Sequence, residues 1–129
     1  MGEAILKDAL MKAGKEDHFV SSAGIGALVG HKPDPIAIQL MEERGIDVSN
    51  YRATQMNSTI IRKSDLILVM ESGHKTHIEN KENSSKGKVF KLGEWGGFDI
   101  PDPYKKERDA FEYALQLIEQ GITDWMKRI

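Results

Sequence analysis

The residues of this chain that could most readily act in catalysis or binding are an aspartate and an aromatic in the run Pro101-Asp102-Pro103-Tyr104. Each proline fixes the backbone φ angle and removes an N–H donor, so the Asp102 carboxyl has few local partners and points outward. Such a carboxyl can donate a proton, and a neighbouring aromatic ring can stack on a bound ring. The simpler interpretation is a rigid turn before a helix.

The absence of cysteine limits the chemistry of these 129 residues. Disulfides, thiolate metal ligands and a thiolate nucleophile are excluded within this sequence. Glu71, His74 and His77 are spaced three residues apart, which matches no standard zinc motif and is better explained as the solvated face of a helix. We therefore predict no metal and no cofactor.

The length and the net charge of the chain limit the number of domains and the classes of partner that are expected. A chain of 129 residues predicts one domain that spans residues 1–129. The net charge of −2, with acids and bases interspersed, argues against a nucleic-acid partner. No apolar run approaches the ~20 residues of a membrane span, and the amino terminus lacks a signal-peptide pattern. The expected location is therefore the cytoplasm, with no membrane partner.

Four helices are predicted to position the Asp102 loop. Apolar spacing and helix-stop glycines predict them over residues 2–12, 34–45, 71–81 and 107–128, with a brief helical turn at 57–61. Asp34 is the expected cap of the second helix and Pro35 its first residue. A glycine-containing loop is expected at residues 23–30.

Three strands complete the predicted alternation, at residues 19–22, 66–70 and 88–92. Residues 66–70 are continuously apolar, as in a parallel strand that is covered on both faces. Alternating helices and strands predict an α/β domain with a parallel sheet and helices on both faces. The chain nevertheless opens on a helix, whereas a doubly wound domain normally begins with a strand.

In combination, these motifs resemble the low-molecular-weight protein tyrosine phosphatases, of the bacterial type paired with exopolysaccharide-regulating tyrosine kinases. Each run is weak alone, but together they occur in the family's order along the whole chain. They are Ser22-Ala23-Gly24, residues 25–30, Pro33-Asp34-Pro35, Gly45-Ile46-Asp47, Ala53-x-Gln55, and residues 65–71 and 100–104. The resemblance implies a flavodoxin-like fold and hydrolysis of phosphotyrosine monoesters through a phosphocysteine.

The same resemblance implies which parts of the site are present. The family signature C-x-x-x-x-x-R-S-[PT] separates the first strand from the first helix, and residues 1–6 correspond to the positions directly after it. The first strand, the nucleophilic cysteine and the phosphate-binding arginine are thus missing. What remains is Asp102 as the implied general acid and Tyr104, Ile25 and Leu28 as implied substrate-binding residues.

Two positions depart from the family pattern. Tyr51 stands where relatives often have a histidine that supports the phosphate loop, and Thr54 stands where they often have an arginine. Because the nucleophile is missing, we predict that the chain as given is inactive. It is then either a shortened phosphatase or a non-catalytic pseudophosphatase that acts as a homodimeric interaction module.

The implied partners are phosphotyrosine proteins, among them a bacterial tyrosine kinase. In the family the missing strand lies between the strands at residues 19–22 and 66–70, so its loss would leave a surface for a second copy to cover. A weaker third prediction is loose anion binding at Met1-Gly2, at the amino end of the first helix. Arsenate reductases share this fold but also depend on cysteines. The absence of cysteine therefore argues against that alternative as much as against a phosphatase.

Overall fold

A computed structural model describes residues 1–15 and 17–129, and its helices and strands alternate along the chain. The elements are α1 (Gly2–Lys12), α2 (Pro35–Glu42), α3 (Ser58–Lys63), β1 (Ile67–Val69), α4 (Ser72–Lys81), a 3₁₀ turn (Asn83–Ser85), β2 (Val89–Lys91) and α5 (Arg108–Met126). The four predicted helices, the helical turn near residue 58 and two of the three predicted strands are therefore confirmed.

The helix boundaries follow from local chemistry. Asp34 Oδ1 accepts a hydrogen bond from the Ile36 N–H at 2.8 Å, which caps α2 directly before Pro35. Asn57 caps α3 in the same way, with its Oδ1 2.9 Å from the Ile60 nitrogen. Gly45, at φ 73°, follows the end of α2 in the left-handed conformation that favours glycine.

The sheet consists of β1 and β2, which pair in parallel with Ile67 opposite Val89. Neighbouring side chains of β1 point to opposite faces. Leu68 packs into a cluster that includes apolar residues of α1 and α5. Val69 packs with Ile61 of α3 and Ile78 of α4 on the other face. The prediction of helices on both faces of a parallel sheet is confirmed.

Helix α5 contributes more buried residues to the core than any other described element. Its apolar stripe is buried at Phe111, Ala114, Leu115, Ile118, Ile122 and Trp125. Gly121 lies in the same stripe, and a Cβ atom added there would sit 2.7 Å from the Leu92 carbonyl oxygen. The glycine therefore lets α5 approach the end of β2 closely, and this fixes the start of the loop that carries Asp102.

The predicted strand at residues 19–22 is wrong. These residues form no strand among the residues that the structure describes, and the Phe19 side chain is fully exposed. A strand requires a hydrogen-bonded neighbour, and β1 has its ladder only with β2 in the described chain. A single parallel bridge joins Gly24 to Gln55 instead.

Full coverage of the 66–70 strand is also contradicted. Leu66 is 38% exposed, while Ile67 and Leu68 are only half-buried. The ladder with β2 uses the backbone groups of Ile67 and Val69, for example the Leu92 N–H that donates to the Val69 oxygen at 2.7 Å. Because alternate backbone groups point to opposite edges, those of Leu68 face the other edge of β1.

Candidate active site

The predicted acid lies in a cavity of about 370 Å³ at the carboxyl end of β1. Five regions meet there: the amino end of α1, the start of α2, the residues after β1, the loop before α5, and the buried face of α5. The lining residues with polar or aromatic groups are Asp34, Glu71, His74, Asp102, Tyr104 and Phe111, together with the Met1 and Gly2 backbone. Parallel α/β sheets commonly bind ligands at the carboxyl ends of their strands.

The loop that carries Asp102 is anchored next to its acid. Ile100 is 1% exposed, and its N–H donates to the Met70 carbonyl oxygen at 2.8 Å. This bond ties the loop to the residue directly after β1. Burial of a full isoleucine side chain adds about 1.5–3 kcal/mol of anchoring.

Asp99 provides a second anchor through charge. Its Oδ1 lies 3.0 Å from Lys91 Nζ and 3.2 Å from Ser72 Oγ, and its Oδ2 lies 3.4 Å from the Ser72 nitrogen at the start of α4. The Lys91 hydrogen bond holds the pKa of Asp99 below its usual value, and the Ser72 donors lower it further against the opposing effect of desolvation. The ionised carboxylate thus links the loop to β2 and α4.

Asp102 and Tyr104 are held together by the backbone. Asp102 Oδ1 accepts a hydrogen bond from the Tyr104 N–H at 3.0 Å, which forms a small turn inside the Pro-Asp-Pro-Tyr run. The other carboxylate oxygen has no hydrogen-bond partner among the described residues. The Tyr104 ring is half exposed at the cavity, and Lys105, at φ 61°, places its Nζ 5.5 Å from the ring centre.

Ile25 and Leu28 lie in the loop at residues 24–31 and are not among the residues that line this cavity. Ile25 is half-buried against the cluster around Met56 and Ile61. Leu28 is 51% exposed, and Val29 beside it is also exposed. The structure therefore places two of the four predicted site residues at the cavity and two in a separate loop.

Sequence reasoning did not assign three titratable groups of this cavity to the site. Glu71 and His74 lie at the start of α4, and Asp34 caps α2. A useful signal was available, because Glu71 directly follows the strand predicted at residues 66–70, whose carboxyl end forms the cavity. The Met1 amino group is also there, and burial lowers its pKa against the opposing charge of Glu3.

Two aromatic residues outside the cavity, Trp95 and Tyr51, have structural roles. Trp95 packs edge-to-face on Trp125, with ring centres 5.4 Å apart, and the Arg128 guanidinium lies 3.8 Å from the Trp95 ring. Trp95 thus anchors its loop and does not line the cavity. Tyr51 is half-buried against the cluster between α1, α2 and α5, with Lys7 Nζ 5.2 Å from its ring centre.

A second, more polar groove of about 470 Å³ lies between α2 and α5. Both of its arginines are paired with acids: Arg44 contacts Glu119 at 2.9 Å, and Arg108 contacts Glu43 at 2.8 Å. In the part of the chain that the structure describes, no three potential metal ligands converge. No helix there is long and apolar enough to cross a bilayer.

Comparisons with known proteins identify the family. A family profile described as low molecular weight phosphotyrosine protein phosphatase matches residues 1–129. A probable low molecular weight protein-tyrosine-phosphatase, EpsP of Ralstonia solanacearum, is 44% identical over 129 residues, which covers 100% of this chain and 86% of that protein. Wzb of Salmonella typhimurium (strain LT2), a low molecular weight protein-tyrosine-phosphatase, is 36% identical over 123 residues, or 95% and 83% of the two chains.

Solved structures agree. The structure of Vibrio vulnificus Wzb in complex with benzylphosphonate matches with a TM-score of 0.90 and 37% sequence identity, over 99% of this chain and 88% of that one. The tyrosine phosphatase AmsI of Erwinia amylovora also matches with a TM-score of 0.90, at 36% identity over 99% and 82% of the two chains. The fold is therefore that of the tyrosine phosphatases that this sequence resembles.

Proposed function

Because the chain belongs to the low molecular weight phosphotyrosine protein phosphatases, we propose that its cavity is the proton-donor side of a phosphotyrosine hydrolase site. Asp102 is the general acid and Tyr104 the wall against the phenyl ring of the substrate. The observation that carries this proposal is the position of Asp102. Asp102 lines the same cavity as the amino end of α1, and one of its carboxylate oxygens makes no hydrogen bond among the described residues.

The proposed step is protonation of the leaving group. As a cysteine thiolate forms a P–S bond and the P–O bond to the phenol breaks, the carboxylic acid of Asp102 gives its proton to the departing oxygen, so that neutral tyrosine leaves. The resulting carboxylate then takes a proton from the water that attacks the phospho-enzyme. A positioned general acid contributes about 100- to 10,000-fold to the rate of such a reaction.

The covalent step needs a thiolate, and these 129 residues contain none. We therefore propose that the polypeptide as given does not hydrolyse phosphate esters. Asp102 cannot compensate, because a proton donor accelerates only a reaction that already has a nucleophile. The nucleophile would come from a strand and a Cys-x-x-x-x-x-Arg-Ser loop placed before α1, as the family resemblance implies.

The test compares two polypeptides with p-nitrophenyl phosphate and phenyl phosphate as substrates. One is the 129-residue chain, and the other carries that strand and loop joined to Met1. We expect turnover only in the extended form. There, Asp102→Asn lowers kcat on phenyl phosphate by about 100- to 10,000-fold, with a smaller loss on p-nitrophenyl phosphate because its leaving group needs less protonation.

Asp65→Asn is the matched control, since Asp65 is an exposed aspartate just before β1 and outside the cavity. It should leave both rates unchanged. Turnover by the 129-residue chain would overturn the proposed need for the added loop. Equal losses from Asp102→Asn and Asp65→Asn would overturn the assignment of the acid.

The substrates that we propose are phosphotyrosine proteins, with a bacterial tyrosine kinase of an exopolysaccharide system as a partner, and the cytoplasm as the place of action. The Vibrio vulnificus Wzb complex supports the substrate class, because benzylphosphonate combines an aromatic ring with a phosphonate. A kinase autophosphorylated on tyrosine should lose its phosphate to the extended polypeptide and not to its Asp102→Asn variant.

A second candidate function is that of a non-catalytic homodimer. Its supporting observations are the fully exposed Phe19, the partly exposed Leu66 and the second edge of β1 at Leu68. Exposed apolar side chains beside an open strand edge favour pairing with another chain. Light scattering should give twice the monomer mass at micromolar concentration, whereas a stable monomer would contradict this candidate.

A further inference from the structure

The loop at residues 24–31 is attached to the rest of the protein chiefly at its two ends. At one end, the Gly24 N–H donates to the Thr54 oxygen and the Met56 N–H donates to the Gly24 oxygen, both at 2.9 Å. At the other end, Gly30 and His31 pair with the backbone of Ala53 at 3.0 Å. Residues 53–56 thus provide the backbone groups that hold both ends of the loop by hydrogen bonds.

The middle of the loop depends on one side chain. Gln55 Oε1 accepts a hydrogen bond from the Ala27 N–H at 3.0 Å, and Gln55 Nε2 donates to the Ile25 carbonyl oxygen at 2.6 Å. Among the described residues, no other hydrogen bond joins residues 25–29 to a residue outside the loop. The amide of Gln55 can make both bonds at once because it carries a donor and an acceptor.

We propose that Gln55 is a positioning residue for substrate recognition, which fixes Ile25 and Leu28 through the backbone that it brackets. This inference rests on the proposed function, because it takes these two side chains as the surface that meets the polypeptide around a phosphotyrosine. The loop lies outside the cavity that holds Asp102. Gln55 therefore governs recognition of the protein part of a substrate and leaves the proton-transfer step to the Asp102 loop.

Because of where Gln55 lies, its effect on the loop can be tested without destabilising the whole fold. Its side chain is exposed and lies 28 residues from Ala27 in sequence, so its removal opens no cavity in the core. Two hydrogen bonds across five loop residues decide whether the loop is held in one conformation, and their loss is expected to speed amide exchange in the loop by about 10-fold. The expected consequence is local loosening without global unfolding.

The first experiment is amide hydrogen exchange by NMR on the 129-residue chain. In Gln55→Met, which keeps the length of the side chain and removes both bonds, the Ala27 amide should exchange about 10-fold faster while the urea midpoint is unchanged. In Gln55→Glu the acceptor remains, so Ala27 stays protected, whereas the loss of the donor shifts the Ile25 and Gly26 resonances. Gln39→Met, at an exposed glutamine of α2, is the matched control and should change none of these signals.

Exchange of Ala27 within two-fold of the wild-type rate in Gln55→Met would overturn the proposal. Equal loss of protection in Gln55→Met and Gln55→Glu would also overturn it, because Glu keeps an acceptor for the Ala27 N–H and should therefore keep that amide protected. Neither result depends on turnover, so failure of this inference is distinguishable from failure of the proposed function.

The second experiment tests recognition in the extended polypeptide. Gln55→Met should raise KM for a phosphotyrosyl peptide by about 10-fold and leave kcat on p-nitrophenyl phosphate within about two-fold, since the small substrate does not reach the loop. Equal kinetic effects of Gln55→Met on the peptide and on p-nitrophenyl phosphate would overturn the proposal that the loop recognises the polypeptide part of the substrate.

Discussion

The two loops assigned to the site differ in how they are held. The Asp102 loop has a core anchor at Ile100, a backbone bond to Met70 and a charged link from Asp99 to Lys91 and Ser72. The loop at residues 24–31 is bonded in its middle by Gln55 among the described residues, and its apolar side chains at Leu28 and Val29 face solvent.

This difference fits two tasks. A proton donor must lie within hydrogen-bond distance of one leaving oxygen, so its loop benefits from a fixed position. A surface that meets varied polypeptides benefits from a loop that adjusts at low cost. Substitutions in the first loop should therefore change stability and geometry together, whereas those in the second should change local order alone.

The largest effect on stability in the Asp102 loop is expected for Ile100→Ala. Loss of this buried side chain should lower the free energy of unfolding by about 2–5 kcal/mol, because the cavity that it leaves lies between β1 and α5. Urea unfolding measures this cost, and hydrogen exchange of the Tyr104 amide reports whether the turn at Asp102 loosens with it. A cost as small as that of a surface substitution would show that Ile100 is not the anchor.

Gly121→Ala should have the next largest effect. An added Cβ would lie 2.7 Å from the Leu92 oxygen, so α5 must move away from the end of β2, at about 1–3 kcal/mol. Gly73→Ala is the matched control, since it is also a helical glycine but has nothing within 4 Å of the added Cβ. The control should be neutral or stabilising by up to about 1 kcal/mol, because alanine favours the helix.

Asp99→Asn should have a smaller effect that depends on pH. The folded state lowers the pKa of Asp99, so the ionised carboxylate stabilises the fold above its unfolded pKa, and this contribution is lost as the pH falls through the folded pKa. The wild type should therefore exceed the variant in urea midpoint at pH 7, and the two should converge as the pH falls below the lowered pKa of Asp99. In a Lys91→Met background the difference at pH 7 should shrink, because the main cause of the shift is gone.

Local sequence patterns predicted the elements that are set by capping residues or by a run or stripe of apolar residues. The cap Asp34, the helical turn that follows Asn57, the apolar run of β1 and the stripe of α5 were all readable from neighbouring residues, and each is present. That residues 19–22 form no strand in the described chain was not predictable in this way. Their composition favours an extended chain, but a strand exists only where another strand supplies hydrogen bonds, and that information is not local.

The site was predictable to the same extent. The Pro-Asp-Pro-Tyr run drew attention to Asp102 and Tyr104, and both line the cavity. The links from Asp99 to Ser72 and from Gln55 to Ala27 join residues 27 and 28 positions apart. No local pattern encodes such contacts, because they arise only when separate elements have packed.

The smallest effect is expected at Phe19, in the segment that precedes the Gln55-held loop. Its side chain is fully exposed, so Phe19→Ala should change the free energy of unfolding by less than about 0.5 kcal/mol. Phe111→Ala is the matched substitution in the core, where the ring is buried in the cluster that includes Leu40 and Leu115. It should lower the free energy of unfolding by about 3–5 kcal/mol.

If a second copy covers Phe19, its substitution lowers the urea midpoint more at high protein concentration than at low, because dimerisation adds to stability by mass action. A small effect that is independent of concentration would mean that this segment contributes neither to the fold nor to a dimer, and the contrast between a fixed Asp102 loop and a weakly attached second region would stand.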